Sequence, residues 1–314
     1  MLKAKKAIPI VDDFGITEDA RYFEYSTSAN PIAARLISKV PFKTFPASLY
    51  EDGPTRVIPL DVSAELNCIG PATGPGLLAS FVRIVSGEEL VIDPVVTSQV
   101  FYVISGAGVA NQGAHNIPFS EGAFFTLPGG LSASLTAEST VTLYYVTDAP
   151  LMTYLGVSAV EPRFSPTFYP ADRAAEELLK VSKDPNAHKR SRVSVLLGNE
   201  HFDQTRTVTH VLWAMFGLLP GNSIQKPHRH QSIALDFIVD CPKGCYSLVG
   251  TALDKEGSIA NPTRVDWEPG MAFITPPGYW HAHFNESKES ARLIPIQDAG
   301  LQTYLRALDI RFAD

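Results

Sequence analysis

Pro269-Gly270-Met271-Ala272-Phe273-Ile274-Thr275-Pro276-Pro277-Gly278 repeats a pattern set 148 residues earlier, Glu121-Gly122-Ala123-Phe124-Phe125-Thr126-Leu127-Pro128-Gly129-Gly130. In both, a glycine turn leads into a short apolar run and then into a second turn of Pro and Gly. β-Branched and aromatic residues bounded by turn formers read as a strand. A second echo stands at nearly the same spacing: Asp148-Ala149-Pro150-Leu151-Met152-Thr153-Tyr154-Leu155 returns as Asp298-Ala299-Gly300-Leu301-Gln302-Thr303-Tyr304-Leu305, 150 residues on. Two echoes at one spacing describe an internal duplication.

Working outward, the other apolar runs alternate in the same way. Phe81–Val85, Phe101–Ile104 and Val141–Val146 are short and lie between Gly- and Pro-containing turns. Many short strands with regular turns predict a sandwich or barrel. The expected organisation is an N-terminal arm (1–54), a first barrel (55–155), a linker (156–204) and a second barrel (205–314). Within the linker, Pro170 to Val181 starts with Pro, carries acids early and has no internal Gly, which predicts a helix.

Composition bounds the function. The chain has 314 residues, 45% hydrophobic and 19% charged, with a net charge of −7. That describes a globular protein without the positive surface that nucleic acid or anionic lipid requires. No apolar run approaches the roughly 18 residues of a membrane span. The lysines at 3, 5 and 6 precede no apolar stretch, so no signal peptide is read and a cytoplasmic location is expected. Three cysteines, Cys68, Cys241 and Cys245, are too few for a disulfide framework. Cys241 and Cys245 read as incidental thiols of a hairpin.

Four of the eight histidines lie in two tight pairs, His228-Arg229-His230 and His281-Ala282-His283. Residues i and i+2 of a strand share a face, so each pair can turn both imidazoles into one barrel. Imidazole suits Zn, Cu, Fe or Ni, and three imidazoles on one side of an ion leave open positions for substrate. Three of His228, His230, His281 and His283 are thus candidate ligands of one ion. The first copy carries Ala133 and Ala137 where the second has His281 and Asn285, and no His near Ile92 to Val96. The fold therefore keeps its turns without the histidines, which argues that the histidines are there for chemistry.

The spacing Gly270, Pro276, Gly278, His281 and Asn285 matches the second cupin motif at every position. The chain resembles a bicupin, specifically the gentisate 1,2-dioxygenase group of the cupins. The resemblance implies a mainly all-β fold of two tandem cupin barrels (double-stranded β-helices of jelly-roll type) joined by a helix. In the first motif, His228 and His230 fit, but the slot usually holding Glu is Ala234. The resemblance implies a three-histidine Fe(II) centre on His228, His230 and His281, with Ni, Zn or Mn as possible occupants, and ring cleavage of a hydroxybenzoate-like acid in aromatic catabolism. The expected partners are a small-molecule substrate and dioxygen, in a homo-oligomer.

Further roles are expectations. His283 shares the face of His281 and can act as acid or base toward substrate, or simply pack at the barrel mouth. Trp213, with Ala234, Asp236 and His283, is placed in the substrate pocket, although Trp213 also reads as a core aromatic. Asp236 stands where the resemblance places an Arg that pairs with the substrate carboxylate, and Met215 and Gly217 stand where it favours Gly and Gln. Counting in twos from His228 puts Asp236 on the interior face, where it would repel an anion and favour an amino- or nitrogen-bearing substrate, or act as a base, or simply pair with a nearby Arg. The basic run Lys189-Arg190-Ser191-Arg192 reads as a solvated patch, with an anion contact as the alternative. A metal-containing cupin without redox turnover, for binding or isomerisation, is the second functional class.

Overall fold

The computed structural model describes residues 18–187 and 192–313. Residues 1–38 and 39–314 form separate units. In the first, a single helical turn, Tyr25–Ser28, is capped by the Glu24 carboxylate, which accepts from the backbone N–H groups of Ser26 and Thr27.

The second unit is mainly β and consists of two barrels, each built from a six-stranded and a smaller antiparallel sheet. The first barrel's large sheet runs Thr167–Tyr169, Phe124–Pro128, Ser98–Ser105, Val141–Thr147, Leu78–Ile84, Arg56–Pro59. The second barrel's runs Thr44–Phe45, Ala272–Thr275, Ala234–Asp240, Ala291–Gln297, Trp213–Leu219, Val193–Leu197. The order is the same in both, so the duplication seen in sequence is a duplication of topology. The predicted linker helix forms as Ala171–Ser182.

The edge strands are exchanged. Thr167–Tyr169 precedes the second barrel but pairs with the first. Thr44–Phe45 precedes the first barrel but pairs with Phe273 and Ala272 of the second. Tyr50 follows it down, buried, and donates its hydroxyl to Gly270 O at 2.9 Å. These short strands cover two sheet edges that would otherwise present unpaired N–H and C=O groups.

The two large sheets share one core. Phe237 of the second barrel stacks on Tyr144 of the first at 5.0 Å and meets Tyr102 and Phe81 edge-on or tilted. Such pairs each add about 0.5–1.5 kcal/mol beyond simple burial. Because strand residues alternate, placing Leu235 and Phe237 in this shared core turns Ala234, Asp236 and Ile238 into the second barrel's interior.

The repeated turns have a backbone cause. Gly122 and Gly270, and Gly130 and Gly278, all have φ between 75° and 84°, the left-handed region that favours glycine. Asn285 of the motif is structural: its amide donates to Leu219 O and Glu289 O and its oxygen accepts from Ser287. The Asp echo is structural too. Asp148 accepts the backbone N–H groups of Thr97 and Ser98, and Asp298 accepts that of Ile233, at the matching strand start in each barrel. Cys241 and Cys245 are free thiols, but not of a hairpin: the turn they flank joins Ala234–Asp240 of the large sheet to Cys245–Gly250 of the smaller one, and the two strands pair with other partners. No helix among the described residues is long and apolar enough to cross a membrane.

Candidate metal centre

Two strands bring the histidines together. Ser223–Arg229 pairs with Trp280–Asn285, with Gln225 opposite His283 and His228 opposite His281. Three steps on one strand match two on the other, so one extra residue bulges out at Lys226-Pro227. Proline suits a bulge because it has no N–H to give to the ladder. The bulge brings His228 into line with His281 on the interior face. His230 follows at the strand end, where Ser232 and the next turn hold it.

The ligand atoms of His228, His230 and His281 lie within 4.8 Å of one another, and all three residues are buried. Each ring is fixed from behind through Nδ1. His228 Nδ1 donates to Lys226 O at 3.2 Å, His230 Nδ1 to Ser232 O at 2.8 Å, and His281 Nδ1 to Tyr279 O at 3.1 Å. A carbonyl can only accept, so Nδ1 carries the proton and Nε2 offers its lone pair to the common centre, the tautomer a metal requires. His230 Nε2 is buried without any partner. Three neutral imidazoles converging on an orphaned acceptor fit a divalent transition metal.

Electrostatics agree. Burial holds the imidazolium forms of His228 and His281 well down, and lowers His230 to about 4 and His283 to about 3, with the neighbouring imidazoles and Arg192 adding to the effect. The imidazoles stay neutral at ordinary pH, as ligands to a cation must be. The slot where the cupin motif usually holds a Glu ligand is Ala234, opposite Thr275 and Gln297, and among the described residues no carboxylate completes the set.

His283 sits beside the three, 5.8 Å from His281 ring to ring. Its Nδ1 meets Ser247 Oγ at 2.7 Å, and Ser247 in turn accepts Trp267 Nε1–H at 2.8 Å. With the Trp N–H already donating, the serine proton is free to point at His283 Nδ1. That leaves the other ring proton on Nε2, which is buried and unpartnered, as a donor toward the interior. Ser247 and Trp267 belong to no motif and were not legible in the sequence.

Asp236 does reach the interior. Its Oδ2 accepts Thr275 Oγ1–H at 2.8 Å, and burial pushes its carboxyl up to about 6 against the opposing pull of Thr275 and Arg192. The reason differs from the count in twos. The chain turns at 231–233 and passes from the smaller sheet to the larger one between His230 and Asp236. Trp213 lies on the interior face, half-buried, with Nε1 unpartnered.

The basic run needs correction at one residue. Lys189, Arg190 and Ser191 lie outside the described residues. Arg192 is not a solvated side chain: its guanidinium contacts His228 Nε2 and lies 4.0 Å from Met215 Sδ. It comes from the residue before the Val193–Leu197 edge strand, which is how a linker residue enters the second barrel. Arg192 and the buried Gln225 also line a pocket of about 450 Å³ with Leu219 and Ser223.

The barrels' registers allow residue-by-residue comparison. Paired positions equate His281 with Ala133, His283 with Leu135, His228 with Ile92, Ala234 with Gln99 and Asp236 with Phe101. The first barrel's interior is closed by Phe101, Phe125, Phe119 and Tyr145, stacked 4.3–5.3 Å apart. Gln99 there is spent on Tyr145 and on Pro128 O. One copy fills its barrel with rings; the other opens it around imidazoles.

Over 99% of this chain and 96% of the other, the structure is similar to salicylate 1,2-dioxygenase from Pseudoaminobacter salicylatoxidans in its adduct with gentisate, with a TM-score of 0.70 and 13% identity. The chain has the bicupin fold. A conserved-barrel cupin 2 protein from Leptotrichia buccalis is similar at a TM-score of 0.50 and 14% identity, over 81% of the bicupin and 95% of that chain. In sequence, gentisate 1,2 dioxygenase 1 of Aquipseudomonas alcaligenes is 29% identical over 142 residues, 44% of the bicupin. The match spans only 38% of that relative's length. No protein-family model matches the chain. The chain is thus similar to dioxygenases of the gentisate and salicylate type in fold, and to one of them over part of its sequence.

Proposed function

We propose that this bicupin is a non-haem Fe(II) dioxygenase that opens the ring of a small substituted aromatic acid. The observation that carries the reading is the set of three Nδ1-anchored neutral imidazoles with Ala234 where a fourth, charged ligand would stand. In this reading residues 205–314 form the metal-binding barrel, 55–155 a barrel that has lost its metal site, and 156–204 the linker. His228, His230 and His281 hold the ion. Iron bound there supplies a dipositive centre where an anionic ligand and dioxygen can meet.

The remaining work falls to the chain. Arg192, which contacts His228, would be turned away by a cation held on the three Nε2 atoms, and its guanidinium would then be free to donate to a substrate carboxylate, which it matches as a planar fork. His283 donates a hydrogen bond from Nε2–H to a substrate oxygen and steadies the negative charge that develops there. Trp213 and Met215 give an apolar wall for the ring and exclude water. The test is oxygen uptake by the Fe(II)-loaded protein with hydroxy-, amino- and nitrobenzoates. Rapid uptake with one of them supports the reading. Full iron occupancy with no uptake across the set refutes it and leaves the second reading, a metal-containing cupin without redox turnover. Asp236, with a carboxyl near 6, favours that alternative as a candidate base.

A further inference from the structure

We propose that Asp236 is a specificity residue that selects an aromatic acid bearing a second hydrogen-bond donor, an amino or hydroxyl group, on its ring. The proposal rests on the aromatic-acid reading above.

The duplicated barrel supplies the comparison. At this place the first barrel carries Phe101, stacked on Phe125 at 4.4 Å and on Tyr145 at 4.3 Å, with Leu127 on the adjoining strand. The register puts Asp236, Phe273, Pro295 and Thr275 at the equivalent positions. Three of the four have changed, and the changes fit one another. Phe to Asp and Tyr to Pro remove ring volume from the interior, in a fold whose sister copy packs it solid. Leu to Thr adds a hydroxyl, and that hydroxyl donates to Asp236 Oδ2 at 2.8 Å. A carboxylate buried to 2% exposure is costly unless it is paired. Thr275 satisfies only one of its oxygens. Oδ1 accepts no hydrogen bond from the described residues, so the second barrel keeps an unfilled acceptor on its interior wall.

The charges set the ligand's direction. Arg192 and Asp236 lie within electrostatic reach of each other, both in the barrel that holds the three imidazoles. A carboxylate is repelled by Asp236 and attracted by Arg192. A donor group is welcomed by Asp236 and has nothing to gain from Arg192. A ligand with both groups satisfies both residues. One lacking the donor leaves Oδ1 desolvated and unpaired, which discriminates by about ten-fold or more.

The test uses zinc-loaded full-length protein, which binds without turning over, and calorimetric titration. The probes are 2-hydroxybenzoate and its amino, hydroxy and methyl derivatives, substituted at ring position 3 or 5. In one of the two series, the amino or hydroxy compound is expected to bind at least ten-fold tighter than the methyl compound of similar size. Asp236→Leu should reduce that ratio to within about two-fold while zinc content is kept. Asp236→Asn, which keeps the shape, should tighten binding of 2-hydroxybenzoate itself by removing the like charge. Equal affinities in both series, a ratio that survives Asp236→Leu, or unchanged binding in Asp236→Asn would overturn the proposal. Oxygen uptake by the iron-loaded protein separates the two claims. Donor preference without uptake sustains this proposal and overturns the dioxygenase reading; uptake without donor preference does the reverse.

Discussion

Replacing Asp236 by Asn should make the metal-free protein more stable at pH 8 and leave it nearly unchanged at pH 4. Burial raises the Asp236 carboxyl from its ordinary 3.8 to about 6, even with Thr275 and Arg192 favouring the charge. A shift of that size corresponds to about 3 kcal/mol at 1.36 kcal/mol per pH unit. The folded chain binds more protons than the unfolded one between those values. The advantage of the protonated form is therefore complete below about pH 4 and is lost as pH rises through 6. Asn has nothing to ionise and can still accept the Thr275 hydrogen bond. The variant should overtake the wild type across that window and reach a plateau gain of up to about 3 kcal/mol. The assay is guanidinium unfolding of chelator-treated protein, followed by tryptophan fluorescence from pH 4.5 to 8. Taking variant minus wild type cancels the contribution of the histidines. Asp298, also raised to about 6 by burial, is the control: Asn there should show a similar rise with pH, but from a lower start, because an amide oxygen and NH2 cannot accept both the Ile233 N–H and the Gln302 amide as the carboxylate does. A flat difference between pH 4.5 and 8, or no gain at pH 8, would refute the claim that barrel two carries an uncompensated charge.

His281→Ala should abolish stoichiometric metal binding, read by elemental analysis, while far-UV circular dichroism is unchanged, because Ala133 already serves at that position in the first barrel. The metal-free wild type should lose stability as pH falls below 6.5, since the buried histidines are depressed and the unfolded chain takes up more protons; His230 alone, at about 4, contributes about 3 kcal/mol by pH 4, and saturating metal should hold the unfolding midpoint up above pH 6. Ser247→Ala should lower turnover about ten-fold or more with little change in KM, and cost about 1–3 kcal/mol of stability, because it strips a partner from both Trp267 Nε1 and His283 Nδ1; an unchanged turnover would show that the His283 proton is not used. Arg192→Ala should raise the dissociation constant for benzoates about ten-fold or more while leaving the affinity for uncharged phenols within two-fold.

What the sequence made legible follows from how local each signal is. The duplication could be read because glycines with positive φ, at 122 and 270 and at 130 and 278, tolerate no other residue easily and so survive in both copies. The histidines could be read because spacing by two is a strand's own period. Arg192 could not. It lies in a charged run, and its entry into the barrel depends on the pairing of Val193 with Leu218, a register that nothing nearby in sequence announces. Ser247 and Trp267 were hidden for the same reason: they meet His283 only because Cys245–Gly250 pairs with Trp280–Asn285. Thr44–Phe45 is too short to show any period, yet it closes the edge of the second barrel's large sheet. Asp236 is the most instructive case, since counting in twos reached the right face across a turn where the count does not apply. What assigns that face is Phe237: its ring belongs to the core shared with the first barrel, so its neighbour must look the other way, toward the histidines. The shared core is therefore not only what joins the two barrels; it is what aims the one carboxylate that sets this site apart.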